Sequence, residues 1–246
     1  MYRRALCFRT NRGKAKITSN NTQRRLAIHM KWNGFIFDFN GTLFWDTPYH
    51  NESWDIILGR YGLTLTAEEL FRNIHGRTNE DIYAYLFPES PSLEQANAFA
   101  EEKEAIYRDI CLKHGMHLAP GAERLLNELK EHGIPRNIAT ASGKTNVDFF
   151  IEQFRLERWF DLRAISYDDG TVPGKPAPDI FLRGIERIGM KPEEVVIFED
   201  SHAGIRAAKA SGAKQVIIVN SNHDSYSGWH FPVIRSYDDV KRKFFL

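Results

Sequence analysis

The feature that most constrains the fold is a regular alternation of apolar runs and helical patterns after residue 120. Helical patterns at 121–132, 145–154, 178–189 and 202–210 alternate with predicted strands at 135–139, 162–166, 195–198 and 215–219. An earlier apolar run at 34–39 predicts one more buried strand. Strands that alternate with helices form a parallel sheet covered on both faces. The sequence therefore predicts an α/β fold with a Rossmann-like, doubly wound parallel sheet.

Residues 47–118 interrupt this alternation. They contain helical patterns at 49–61, 66–73, 79–86 and 93–114 and no convincing strand. An all-helical insertion after the first strand predicts a separate helical cap domain. We therefore expect a discontinuous α/β core domain at 30–46 and 119–246, a cap domain at 47–118, and a basic extension at 1–29.

The bulk composition is that of an ordinary soluble globular protein. The chain has 246 residues, of which 42% are hydrophobic and 26% are charged, and this length allows a sizeable core. No apolar run approaches the roughly 18 residues that a membrane helix needs, so we expect no membrane partner. Cys7 and Cys111 form no metal or redox motif, which predicts a reducing, cytoplasmic location.

Charge is distributed unevenly along the chain. Residues 1–29 contain eight Lys or Arg side chains and no acidic residue. Because the net charge is +1, residues 30–246 carry a formal charge of −7, and an acidic body argues against a nucleic-acid partner. We expect the basic segment to be a disordered extension, or to precede a true start at Met30. A transit peptide and a nucleic-acid-binding arm are the alternatives.

Asp38 lies at the end of the first predicted strand and begins the sequence Asp-Phe-Asn-Gly-Thr-Leu. A carboxylate in this position has lost part of its hydration, which costs free energy unless the group is used. Ligands of open α/β sheets bind at this edge. Gly41 allows the backbone to pass close to such a ligand, so the sequence predicts a binding site here.

Three later segments place polar side chains at the same edge. Thr140 and Ser142 lie at the end of the strand predicted from residue 135, and Thr140 offers a hydroxyl and an N–H of the kind that hold phosphate oxygens. Lys175 precedes a helix, and Glu199 and Asp200 follow a strand. Because each segment ends a strand or begins a helix, all of them can converge on one edge of the sheet.

This set of side chains suits phosphoryl transfer. The Asp38 carboxylate can attack phosphorus and form an aspartyl-phosphate. Asp38, Glu199 and Asp200 supply the hard oxygen ligands of Mg²⁺, while Lys175 neutralises charge on the transferred group. We therefore predict a Mg²⁺ cofactor and a small phosphorylated metabolite as the partner of a monomer or weak homodimer. Taken singly, these acids could cap a helix and the lysine could be a solvated surface residue.

In this order, the four segments resemble the four motifs of the haloacid dehalogenase (HAD) superfamily over about residues 33–220. The sequences at 174–181 and 199–205 closely match the subgroup with a helical cap, which includes phosphoglycolate phosphatase and β-phosphoglucomutase. The resemblance implies that Asp38 is the nucleophile and a metal ligand, and that Thr140 and Lys175 hold phosphate. It also implies that Asp200 binds the metal, with Glu199 acting directly or through water.

The resemblance further predicts substrate contacts. Gly41, Thr42 and Ser142 would lie against the substrate in the core domain. His75 and Arg77 match a cap loop that contacts substrate in relatives, and His50 lies where relatives approach it. Each of these three has a simpler interpretation, because His50 could pack within a helix and the other two could be ordinary polar loop residues.

Asn40 departs from the family pattern Asp-x-Asp-Gly-Thr. The second Asp of that pattern protonates the leaving oxygen and then activates water, whereas an amide cannot transfer that proton at neutral pH. Losing such catalysis typically costs about 10²–10⁴-fold in rate. Metal binding needs only the backbone carbonyl of Asn40, so we predict that it survives. We expect slow phosphatase activity, no efficient mutase activity, and the least penalty on acyl phosphates or phosphoanhydrides.

Two alternatives belong to other functional classes. A 2-haloacid dehalogenase shares the Asp nucleophile but needs no metal, and the pair Glu199-Asp200 argues against it. A phosphate-binding or regulatory module, in which Asn40 has silenced turnover, is the other alternative.

Overall fold

The computed structural model describes residues 33–74, 79–89 and 92–240. In these residues a six-stranded parallel sheet has the order β3-β2-β1-β4-β5-β6. The strands are β1 (Gly34–Phe37), β2 (Arg136–Gly143), β3 (Ser166–Asp168), β4 (Val195–Glu199), β5 (Gln215–Val219) and β6 (Val233–Ile234). Because β1 lies between β2 and β4, the strand order reverses there, and such switch points are where open sheets bind ligands.

Helices cover the sheet as the alternation predicts. The helices are α1 (Thr47–Arg60), α2 (Ala67–Glu69), α3 (Asn79–Leu86), α4 (Leu93–His114), α5 (Ala122–Glu131), α6 (Lys144–Phe154), α7 (Asp179–Arg187) and α8 (His202–Ala210). Short 3-10 turns occur at Leu156–Arg158 and Pro192–Glu194, and a π-helical turn at Leu70–Ile74. None of the helices in the described ranges is long and apolar enough to cross a membrane.

Alternate residues of β1 face opposite sides of the sheet, so both faces become cores. On one face Phe35 and Phe37 stack against Phe198, with the Phe37 and Phe198 ring centroids 5.0 Å apart, and the cluster extends to α5 and α6. On the other face Ile36 and Ile197 pack with buried residues of α7 and α8. The doubly wound α/β fold is therefore confirmed.

Two details of the predicted sheet are wrong. The strand expected at 162–166 begins only at Ser166, because the N–H of Ala164 donates to the carbonyl of Asp161 and closes a turn. The two-residue strand β6 was not predicted. A pair of residues is too short to show the period-two pattern that identifies a strand.

Helices α1 to α4 form a helical segment (residues 47–114) between β1 and β2, and no strand occurs in its described residues. Its helices bury a hydrophobic cluster of their own, which includes Trp54, Ile57, Phe99 and Ile110. The helix expected at 66–73 is the short α2 followed by the π-helical turn. The boundaries of the core and cap domains remain a prediction, and the extension at 1–29 lies outside the described residues.

Candidate active site

The carboxyl ends of β1 and β4 bring three acidic residues together. Asp38 directly follows β1, and its N–H donates to the carbonyl of Phe198 at 3.0 Å, which keeps it in register with β4. Glu199 is the last residue of β4, and Asp200 follows it. One carboxylate oxygen from each acid lies within 4.8 Å of the others. Side chains more than 160 residues apart in sequence thus share one site.

The carboxylates of Asp38 and Glu199 are poorly hydrated, and the three acids of the cluster repel one another. Asp38 is 5% exposed and Glu199 1% exposed. Burial, and then repulsion from Glu199, raise the pKa of Asp38 to about 7 despite the opposing charge of Lys175. Burial and the same neighbouring acids raise the pKa of Asp200 well above its ordinary value. A set of three hard oxygen donors that repel one another fits a divalent cation such as Mg²⁺.

Lys175 compensates part of this charge. Its Nζ donates to Asp38 Oδ1 at 2.6 Å and to Glu199 Oε2 at 2.7 Å, and its side chain is only 9% exposed. Although burial opposes it, attraction to these two acids raises the pKa of the lysine. Lys175 is therefore not the solvated surface lysine of the simpler interpretation.

The loop after Asp38 passes very close to Asp200. Gly41 has φ = +73°, and a Cβ on this residue would lie 2.1 Å from Asp200 Oδ2. The hydroxyl of Thr42 donates to Asp200 Oδ1 at 3.0 Å. Glycine is thus required at position 41 both by the left-handed backbone and by the space that the carboxylate occupies.

The second motif reaches the same loop through Ser142. Its Oγ donates to Asn40 Oδ1 at 2.6 Å, and its N–H donates to Thr140 Oγ1 at 3.1 Å. Thr140 is 2% exposed. The structure therefore brings Thr140 and Ser142 to the edge that holds Asp38.

Ser201 caps helix α8, because its Oγ accepts from the N–H of Gly204 at 3.0 Å. Glu199 Oε1 instead accepts from the N–H and the hydroxyl of Ser201. Asp200 therefore does not cap this helix, and its side chain faces the site.

Comparison with known proteins identifies the family of this chain. A family model described as haloacid dehalogenase-like hydrolase matches residues 32–212. The chain belongs to this family.

Curated HAD relatives cover most of the chain. A phosphorylated carbohydrates phosphatase of Thermotoga maritima is 30% identical over 194 residues, which are 77% of this chain and 86% of that protein. The mitochondrial (DL)-glycerol-3-phosphatase 1 of Arabidopsis thaliana is 33% identical over 234 residues, 92% of this chain and 76% of that protein. A solved HAD hydrolase of family IA, variant 3, from Entamoeba histolytica has 34% identity and a TM-score of 0.80, covering 87% and 97% of the two chains.

Asn40 of this HAD-like hydrolase is tied to an acid that the sequence analysis missed. Its Nδ2 donates to Asp46 Oδ2 at 2.5 Å and lies 3.3 Å from the Tyr107 hydroxyl. Asp46 is fully buried. In the sequence, an acid directly before a helix resembles an ordinary N-terminal cap. The only local signal of its role at the site was its position six residues after Asn40.

The three predicted cap residues have different outcomes. His50 stacks on Tyr107 with ring centroids 3.9 Å apart, and its Nδ1 lies 2.8 Å from Lys103 Nζ. It is thus part of a packed polar network next to the site, and its contact with substrate remains a prediction. His75 and Arg77 lie outside the described residues.

Proposed function

We propose that this HAD-family protein is a Mg²⁺-dependent phosphoric monoester hydrolase that acts on a small phosphorylated metabolite through a phosphorylated Asp38. The observation that carries the proposal is the burial of the Asp38 carboxylate in one cluster with Lys175, Glu199 and Asp200. Relatives named as phosphatases of phosphorylated carbohydrates and of glycerol 3-phosphate support the reaction class.

The proposed reaction has two displacements at phosphorus. An Asp38 oxygen attacks the phosphorus atom, and the bond to the leaving oxygen breaks with its electron pair on that oxygen. Water then attacks the phosphorus of the aspartyl-phosphate, which releases inorganic phosphate and regenerates the Asp38 carboxylate. Lys175 would neutralise charge on the transferred group, while Thr140 and Ser142 would hold its oxygens.

The residues present fit a magnesium ion. Asp38, Asp200 and the backbone carbonyl of Asn40 would hold it, with Glu199 binding directly or through water. When bound, Mg²⁺ would neutralise the repulsion between the carboxylates and the phosphoryl group. The raised pKa values of Asp38 and Asp200 support this assignment, because burial and repulsion between the acids raise them even with Lys175 present, and a bound cation would relieve both.

Asn40 would shape the substrate preference. An amide does not deliver a proton to the leaving oxygen at neutral pH, so a leaving group that is stable as an anion would be favoured. Acyl phosphates have such a leaving group, whereas sugar phosphates release a basic alkoxide. The helical segment would act as the cap that selects among these substrates, with the domain boundaries 47–118. A cytoplasmic location and a monomer or weak homodimer remain predictions.

A panel of acyl phosphates and phosphate monoesters, assayed with Mg²⁺ and with EDTA, tests the function. We expect Mg²⁺-dependent phosphate release, much faster from acetyl phosphate than from glycerol phosphate or hexose phosphates. Asp38→Asn should abolish turnover, and Asn40→Asp should raise turnover of the alkyl phosphates selectively. Absence of turnover on the whole panel, or release that persists in EDTA, would contradict the proposal.

Phosphate binding with very little turnover is the second candidate. It is favoured by one observation, namely that both polar atoms of the Asn40 amide already contact protein groups. The two candidates differ in a single-turnover experiment with labelled acetyl phosphate. A long-lived aspartyl-phosphate on the wild-type chain would favour the binding module, whereas rapid release of phosphate would favour the enzyme.

A further inference from the structure

Asp46 occupies the point where the chain passes from the sheet to the helical segment. It directly precedes α1, yet its side chain accepts no capping hydrogen bond from the backbone N–H groups of that helix. The carboxylate turns back instead, and its Oδ1 accepts from the Gly41 N–H at 2.9 Å. Its other oxygen accepts from Asn40 Nδ2 at 2.5 Å.

The same carboxylate contacts both ends of the helical segment. The hydroxyl of Tyr107, in α4, donates to Asp46 Oδ2. The Nε2 of His50, in the first turn of α1, lies 3.4 Å from that oxygen. Asp46 is therefore a fully buried acceptor for groups from the 38–42 loop, from α1 and from α4. The two oxygens of an ionised carboxylate offer about four acceptor sites, which these contacts fill.

Asp46 also determines which way the Asn40 amide points. Asn40 Nδ2 donates to Asp46 Oδ2 at 2.5 Å, and on the other side Asn40 Oδ1 accepts from the hydroxyl of Ser142 at 2.6 Å. A carboxylate oxygen accepts hydrogen bonds, so the amide nitrogen faces Asp46 and the amide oxygen faces Ser142. The amide is thus fixed from both sides.

We propose that Asp46 is a positioning residue, which holds the Asn40 amide and the Gly41 N–H of the Asp38 loop against the first and last helices of the cap. This inference rests on the proposed function for its catalytic consequence. Asn40 and Asp46 form a matched pair, because an ionised carboxylate at position 40 would face another carboxylate at a distance of about 2.5 Å, where the amide now donates a hydrogen bond.

A double-mutant cycle on Asp46→Asn, Asn40→Asp and the swap of both tests the pair. Asp46→Asn leaves four donors without an ionised acceptor, and we expect a fall in Tm of about 4 °C or more. Asn40→Asp alone should also lower Tm. The swap restores one amide facing one carboxylate, and we expect it to recover at least about half of the summed loss.

Kinetics separate a positioning role from a purely structural one. With Asn40 kept, Asp46→Asn should lower kcat on acetyl phosphate about tenfold or more and leave KM within about twofold, because a misplaced loop loses contacts made in the transition state. If Asp46→Asn does not fold, Tyr107→Phe removes one donor while keeping the ring stack, and a smaller change in the same direction is expected. Asp55→Asn, on an exposed acid of α1, is the matched control and should change neither quantity.

The outcomes distinguish this inference from the proposed function. A wild-type chain without turnover would contradict the proposed function. The double-mutant cycle in Tm would still measure the interaction between Asn40 and Asp46. An active wild type in which Asp46→Asn behaves like Asp55→Asn would overturn the inference alone. A swap variant whose loss in Tm equals the sum of the single losses would also overturn it.

Discussion

Replacing Lys175 by Met tests the electrostatics of the site most directly. The substitution keeps a side chain of similar length and removes the positive charge that lies 2.6 Å from Asp38 and 2.7 Å from Glu199. The lysine side chain is 9% exposed and those of the acids are 6% and 1% exposed. Solvent therefore screens this interaction little, unlike that of a surface ion pair.

The expected loss of stability is large. Removing one partner of a buried ion pair costs about 3–5 kcal/mol, because the other charge remains buried and unpaired. For a chain of this size 1 kcal/mol corresponds to about 2–4 °C in Tm, so the expected decrease is about 6–20 °C at pH 8 in EDTA. Turnover should fall by about 10²–10³-fold, as for other groups that stabilise charge in the transition state.

The loss should depend on pH in a defined direction. In the folded protein the pKa of Asp38 is raised to about 7. Between the ordinary pKa of an aspartate and pH 7, the folded protein therefore keeps a proton on Asp38 that the unfolded chain has released. The ionic attraction of Lys175 therefore approaches its full strength only well above pH 7 and weakens as Asp38 is protonated. We expect the loss of Tm to be smaller at pH 5 than at pH 8.

The assay is thermal unfolding at both pH values, with Lys144→Met as the control. Lys144 pairs with Asp148 on the surface of α6, and both side chains are more than half exposed, so its replacement should change stability by less than about 0.5 kcal/mol. If Lys175→Met lowers Tm no more than this control does, or lowers Tm equally at both pH values, the account of a buried charge cluster is wrong.

Two further predictions concern the loop and the metal. Gly41→Ala should lower Tm and abolish stabilisation by Mg²⁺, because its Cβ would lie 2.1 Å from Asp200 Oδ2. Gly133→Ala is the control, since Gly133 also has a positive φ but open space around its Cβ, and it should lower Tm only. Mg²⁺ should raise Tm more at pH 8 than at pH 6, because Asp38 and Asp200 must lose protons to bind it and their pKa values are raised. Equal Mg²⁺ shifts in both alanine variants, or at both pH values, would contradict these predictions.

The sequence was sufficient for the α/β architecture and the position of the site. Apolar runs alternating with amphipathic patterns specify a parallel sheet, since only strands buried on both faces lack polar alternation. The carboxyl ends of such strands meet at one edge. The sequence therefore predicted that Asp38, Glu199 and Asp200 lie together, as they do in the structure. Patterns fail where an element is too short to show a period, as at β6 and in the turn before Ser166.

The tertiary structure alone decided which side chains touch. Asp46 has the local sequence context of a helix-capping acid, and no short-range pattern distinguishes that role from the buried one. Lys175 was predicted at the site, but its contacts with both Asp38 and Glu199 were not. Their contacts depend on how helices and strands far apart in sequence pack, since a hydrogen bond is defined over about 3 Å. The pairing of Asn40 with Asp46, and the packing of both against Tyr107, therefore became visible only once α1 and α4 lay side by side.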